Sequence, residues 1–298
     1  MSDETLNFRN KELYIERDSL FKFHGKSLFK SKPTLLYIIL AYGITWMILF
    51  PLIPFYDQLN PVIREFWHVL GSFGPAIAGI IVIGKWKGKE GIKDLLKRCL
   101  KYSGIMSLII ALIPLLVFLV VFPIDQITGN FTFNMLIENL RTQYLGYVWL
   151  FPFSSIFYGI FEEIGWRGFL LPNLQRRWNA LISSAIITVI WWLWHLPMFF
   201  YRYDLVFAFT VMPLLLFSGT LVFTYLFNKS GGSLLMVMLM HITYDLVSAN
   251  NTGTSTIVIS VCWIILDVII LALYYRNYRR NKIMQEQVIF NIGEDDEN

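Results

Sequence analysis

Residues Ser154–Phe169 read SSIFYGIFEEIGWRGF, an apolar stretch carrying two adjacent acids, Glu162 and Glu163, with Arg167 four residues after the second. An acid at the centre of a membrane helix costs ~2.5–3.5 kcal/mol on insertion scales, so such a pair marks a functional site by default. The two acids point about 100° apart on a helix of ~3.6 residues per turn. Glu163 and Arg167 have the spacing at which side chains stack on one face, which makes them the natural ion pair. Glu162 is then free to face an interior cavity, where a carboxylate can serve as general base.

The rest of the chain supports membrane depth for this stretch. Of 298 residues 56% are apolar and only 15% charged, against a charged fraction of about 25% in soluble domains, and the mean hydropathy is +0.54. A spanning helix needs about 20 mostly apolar residues. Eight windows qualify, near 34–56, 66–84, 104–123, 145–166, 180–201, 205–227, 232–249 and 255–275. The expected fold is all-α: a polytopic integral membrane protein of about eight transmembrane helices around an intramembrane polar cavity. Segments outside these windows alternate in charge, 22 Lys and Arg on one set against 3 on the other. By the positive-inside rule both termini are cytoplasmic, in an integral, multi-pass cell-membrane protein. The net charge of +4 is therefore topological, and nucleic acid is not an expected partner.

Three regions follow: a cytoplasmic N-terminal segment over 1–32, a transmembrane domain over 33–277 with its core about 145–250, and an acidic cytoplasmic tail over 278–298. The first 32 residues have no apolar core before a cleavage site, so no signal peptide is expected. Cys99 and Cys262 are too far apart in context to read as a disulfide framework or metal knuckle.

Two later spans carry further polar groups. His195 follows Trp191, Trp192 and Trp194, a run that also fits an interfacial aromatic belt. His241 and Asp245 form an i, i+4 pair amid Leu234–Val247. Such a pair is either structural or a device that fixes an imidazole tautomer. His68 reads as interfacial, and Asp267 needs either a neutral form or a bond to a neighbouring helix. Gly71, Gly74 and Pro75 read as packing or kink positions.

A carboxylate and a histidine can activate water while a second histidine stabilises the oxyanion formed on attack at an amide. Glu162, His195, His241 and Asp245 also offer two nitrogen and two oxygen donors, a set that a divalent ion accepts, zinc first. Metal-free and metal-assisted mechanisms both stay open. No Ser or Cys nucleophile with a matching histidine stands out, and the HExxH zinc motif is absent.

Glu-Glu-x-x-x-Arg (Glu162, Glu163, Arg167), then aromatic-x-x-x-His (Trp191, His195), then His-x-x-x-Asn/Asp (His241, Asp245), each in its own span, resembles the CPBP family. That family comprises type II CAAX prenyl endopeptidases and bacteriocin-processing or self-immunity proteins, glutamic or metallo-type intramembrane proteases. The likeness covers Tyr147–Val247, and the run Gly168-Phe169-Leu170-Leu171-Pro172 also fits the family's first motif. The resemblance implies that Glu162 activates water with help from His195. Glu163, Arg167 and Trp191 support the site, and His241 with residue 245 forms the oxyanion hole. The chain departs at Trp191, where Phe is usual, and at Asp245, where many relatives carry Asn. An ionised Asp cannot donate to an oxyanion, so Asp245 is protonated, orients His241 or binds a metal.

The leading expectation is thus an endopeptidase whose cavity opens toward the cytoplasm. Its substrate would be a peptide or lipidated protein cut near the C-terminus in contact with membrane lipid. A proton-coupled carrier and a non-catalytic peptide-binding scaffold or immunity factor are the alternatives. Flux dependent on Glu162 without cleavage would mark the carrier, and function retained by Glu162→Gln the scaffold. Oligomeric state stays open. One geometric difficulty accompanies this reading: with Glu162 near a helix end, His195 is over ~20 Å from the corresponding end of its own helix at ~1.5 Å per residue. Strong tilt or an extension of the fifth helix through Arg176 and Arg177 would be needed to bring them level.

Overall fold

The computed structural model describes residues 32–129, 132–143, 153–249, 258 and 260–276. The expected N-terminal segment over 1–31 and the acidic tail lie outside the described residues, as do 144–152 at the start of the fourth window. All described elements are helical: α1 (Lys32–Leu49), α2 (Pro61–Leu70), α3 (Phe73–Cys99), α4 (Ile105–Ala111), α5 (Ile113–Thr128), α6 (Phe133–Gln143), a continuous helical stretch α7 over 153–174, α8 (Ala180–Trp194), α9 (Leu205–Thr210), α10 (Met212–Lys229), α11 (Leu234–Ala249) and α12 over 260–276.

Two helical stretches among the described residues are long and apolar enough to cross a membrane, Lys32–Phe55 and Pro61–Cys99. They become three if α4 and α5, bent by 57°, form one span. Ala180–Trp194 and Leu234–Ser248 are shorter apolar helices. The eight windows therefore do not each become one long helix. A 3-10 turn over Phe50–Phe55 ends the first, and the sixth breaks between α9 and α10 just before Pro213. Proline removes a backbone donor and crowds the preceding turn, so breaks of this kind follow from composition. The result is a helical membrane protein whose spans are segmented.

Local chemistry sets several starts. Asn60 caps α2, accepting from the Val62 N–H at 2.9 Å with Pro61 in first position, and Asn179 caps α8 through the Ile182 N–H at 2.9 Å. Both are the favoured N-cap arrangement. α3 breaks at Gly88 (φ 61°), separating its apolar part from the basic run ending at Lys97 and Arg98. Cys99 and Cys262 are free thiols.

α7 is the centre of the bundle. It packs against α3 on one side and α11 on another, and two glycines let it come close. A Cβ at Gly165 would lie 2.5 Å from the Pro75 carbonyl oxygen, and one at Gly159 would lie 3.0 Å from that of Met238. Small residues permit backbone approach of this kind between membrane helices. α7 also holds two π-helical turns, Tyr158–Glu162 and Trp166–Leu170, a widening common at functional sites.

α7 removes the depth difficulty. The helix does not end at 166 but runs on to Leu174. Glu162 thus lies 12 residues, ~18 Å, from that end and His195 15 residues, ~22 Å, from the start of α8, taking ~1.5 Å per residue. The extension belongs to the fourth helix rather than the fifth.

Candidate active site

The acid pair divides its work as the 100° offset requires. Glu163, fully buried, receives Arg167 Nη1 at 2.8 Å on Oε1. Arg167 is itself fully buried, with its guanidinium 5.2 Å from the Trp191 ring centroid and 4.8 Å from that of Phe223. The same Glu163 oxygen lies 2.8 Å from His241 Nδ1, a contact between α7 and α11. Sequence spacing gave His241 to Asp245, whose Oδ2 is 3.5 Å from Nε2. The closer partner is Glu163, invisible to spacing because it comes from another helix.

Glu162, 5% exposed, faces the other way. Its Oε2 accepts from the indole N–H of Trp191 at 2.8 Å and of Trp166 at 3.3 Å. His195 sits just past the end of α8, 8% exposed, with Nδ1 2.7 Å from the Trp191 carbonyl oxygen. An Nδ1–H donating to that carbonyl leaves Nε2 as an acceptor. Glu162, Trp191, His195, His241 and Asp245 all line one cavity of about 720 Å³, within the size range of small-ligand sites.

The three motifs thus meet in one wet-capable pocket, and the family comparison concerns the same stretch. Residues 144–247 match the family described as Type II CAAX prenyl endopeptidase Rce1-like. Among similar proteins, CAAX prenyl protease 2 of Methanococcus maripaludis is 25% identical over 202 residues, 59% of this chain and 69% of that protein. Lysostaphin resistance protein A of Staphylococcus haemolyticus is 23% identical over 239 residues, 75% of this chain and 64% of that protein. Over this stretch the chain is similar to the Rce1-like CAAX prenyl endopeptidase family.

Within that family frame, the two departures noted in the sequence have distinct geometries. Trp191 is more than a tolerated aromatic, because its N–H bonds Glu162, which Phe could not do. The aromatic-belt reading fails for it and for Trp194, which are 5% and 1% exposed. Asp245 is the most exposed member of the site, its side chain 24% accessible.

The ligand set Glu162, His195, His241 and Asp245 does not assemble around a metal. Among the described residues no three of His, Cys, Asp and Glu are grouped to hold an ion. The donors are turned to other partners: Glu162 Oε2 to two indoles, His241 Nδ1 to Glu163, and His195 Nδ1 to a carbonyl.

Several cavity residues were missed or misread. His68 is not interfacial but 3% exposed, with Nδ1 2.6 Å from Tyr201 Oη. Tyr158, four residues before Glu162, and the Glu65–Arg202 ion pair (3.1 Å) also line the cavity. Their signal was periodic: Pro61, Arg64, Glu65 and His68, like His241, Tyr244, Asp245 and Ser248, follow i, i+3, i+4, i+7 and line the cavity, the mark of one helix face. Asp267 lies outside this pocket and accepts from the Ser218 hydroxyl on α10, the neighbouring-helix bond that was one of its two expected solutions. The cavity lining extends away from the basic loops: Pro61, Arg64, Ser154 and Arg202, which line it, lie at the other end of the bundle from those loops.

Proposed function

We propose that this protein is an intramembrane endopeptidase that hydrolyses a peptide bond with a water activated by Glu162. The observation supporting it is that Glu162 and His241, from separate helices, face one buried cavity together with His195 and Asp245. Glu162 takes a proton from a water in the cavity while the water oxygen attacks the scissile carbonyl carbon. His195, through Nε2, helps orient that water. The carbonyl oxygen becomes an oxyanion, which His241 meets with Nε2–H; with its Nδ1–H given to Glu163, His241 does this as the doubly protonated imidazolium. Collapse of the tetrahedral carbon breaks the C–N bond, and the proton held by Glu162 passes to the leaving amine.

Glu163 and Arg167 act through His241: the ion pair fixes the imidazole so that Nε2 points into the cavity. Asp245, acceptor-only when ionised and 3.5 Å from Nε2 at the rim, orients the imidazole before attack and releases Nε2–H to the oxyanion as it forms, which makes it a positioning residue. No step runs through a metal. The transmembrane domain is proposed as 33–277 with eight crossings and both termini cytoplasmic, the substrate being a membrane-associated or lipidated peptide.

Glu162→Gln and His241→Ala are each expected to cut cleavage of a quenched peptide by purified protein to a residual rate about 10³-fold or more below the parent, with the amount of folded protein in membranes unchanged. Cleavage near the parent rate in either variant would reject the assignment.

A further inference from the structure

The cavity holding Glu162 and His241 runs toward one end of the helix bundle, and charge marks that end. On α7 its lining passes from Glu162 through Tyr158 to Ser154, on α11 from His241 through Asp245 to Ser248, and on α2 from His68 back to Pro61. Each path leads away from the basic residues of the same region. α7 continues in the other direction to Leu174, just before Arg176 and Arg177. α11 starts five residues after Lys229, and α3, which follows α2, ends in Lys97 and Arg98.

Contacts bind those basic ends into one face. Lys101 Nζ donates to the Gly231 carbonyl at 2.7 Å, and Arg98 Nη2 donates to that of Gly168 at 3.1 Å. The seven Lys and Arg from Lys85 to Lys101 lie on this side together with Arg176, Arg177 and Lys229, while the cavity lining at the other end has Arg64 and Arg202. Between Glu162 and the basic face the path is closed by Trp166, Leu170, Leu171 and Leu174, each at most 1% exposed. Basic loops stay in the cytoplasm.

We propose that the site is entered from the extracytoplasmic face, so that its substrate is a peptide segment exposed outside the cytoplasm or in the outer leaflet, and not a lipidated C-terminus presented from the cytoplasm. The word substrate rests on the endopeptidase reading; the sidedness of the cavity does not. The same arrangement turns the family's catalytic residues toward secreted or surface-attached chains.

The test uses the full chain with Cys99 and Cys262 replaced by Ser, carrying either Ser248→Cys at the cavity mouth or Lys89→Cys in the basic loop, both exposed positions. A membrane-impermeant maleimide is applied to right-side-out and inside-out vesicles, with total thiol counted after denaturation. Ser248→Cys is expected to label at least tenfold faster in right-side-out vesicles and Lys89→Cys at least tenfold faster in inside-out ones. The opposite pattern would overturn the proposal. Peptide cleavage by detergent-solubilised protein, where no side exists, reads the endopeptidase assignment separately: cleavage retained with reversed labelling sinks the sidedness alone.

Discussion

Replacing Arg167 by Met removes one charge from the centre of the bundle while keeping a side chain of similar reach. Arg167 and Glu163 are both fully buried, 2.8 Å apart, and Glu163 would be left with His241 as its remaining partner on the same oxygen. Breaking a buried pair from one side costs about 3–5 kcal/mol, because the surviving charge is uncompensated. The Arg202–Glu65 pair offers an internal contrast. Its side chains are 32% and 19% exposed at 3.1 Å, and pairs open to solvent are worth about 0–1 kcal/mol. Denaturant titration in detergent, followed by tryptophan fluorescence, should therefore show Arg167→Met losing several times more stability than Arg202→Met. Adding Glu163→Gln to Arg167→Met should return part of the loss, since the orphaned charge goes with it. Equal small losses for Arg167→Met and Arg202→Met, or a double variant as weak as the sum of its singles, would refute the reasoning.

Three further outcomes are expected. Trp191→Phe removes one of two N–H donors to Glu162 and should lower kcat/KM about 10- to 100-fold, from the ~1.5–3 kcal/mol of a hydrogen bond to a charged group; an unchanged value would show that the indole does not position the base. Asp245→Asn keeps an acceptor for His241 and adds a donor, so it should retain cleavage while Asp245→Ala loses it; equal inactivity of the two would contradict a positioning role. Gly165→Ala must push a methyl to 2.5 Å from the Pro75 carbonyl oxygen, so the folded yield and midpoint of unfolding should both fall, and a neutral result would mean that α3 and α7 do not pack as closely as described.

What the sequence makes legible is whatever lies within one helix. Glu163–Arg167 is an i, i+4 pair in the sequence and an ion pair in the fold, and Trp166 stands in the same relation to Glu162. The helical class and the three motifs are readable for the same reason, since hydrophobic runs and short spacings are local. Contacts between helices are not. Nothing in the spacing of His241 points to Glu163, 78 residues away, and nothing in a Trp-rich run separates an interfacial belt from an indole aimed at a carboxylate. The depth of His195 misled because a window of apolar residues ended at 166, whereas Trp166–Leu174 continues the helix through buried residues that include a fully enclosed Arg167. The direction of the cavity was equally hidden, since it depends on which end of each amphipathic face is open. His68 looked interfacial from its place beside Glu65, yet Tyr201 from a distant loop covers it.

The central claim is that Glu162 and His241 act on one water and one carbonyl in a shared cavity, and a double-mutant cycle on cleavage tests it most directly. Groups that act as a unit are strongly non-additive. With Glu162→Gln, His241→Ala and the pair measured on the same quenched peptide, the account predicts that the double variant loses no more than about the larger single loss. Losses that multiply across the two sites would show independent action and contradict it.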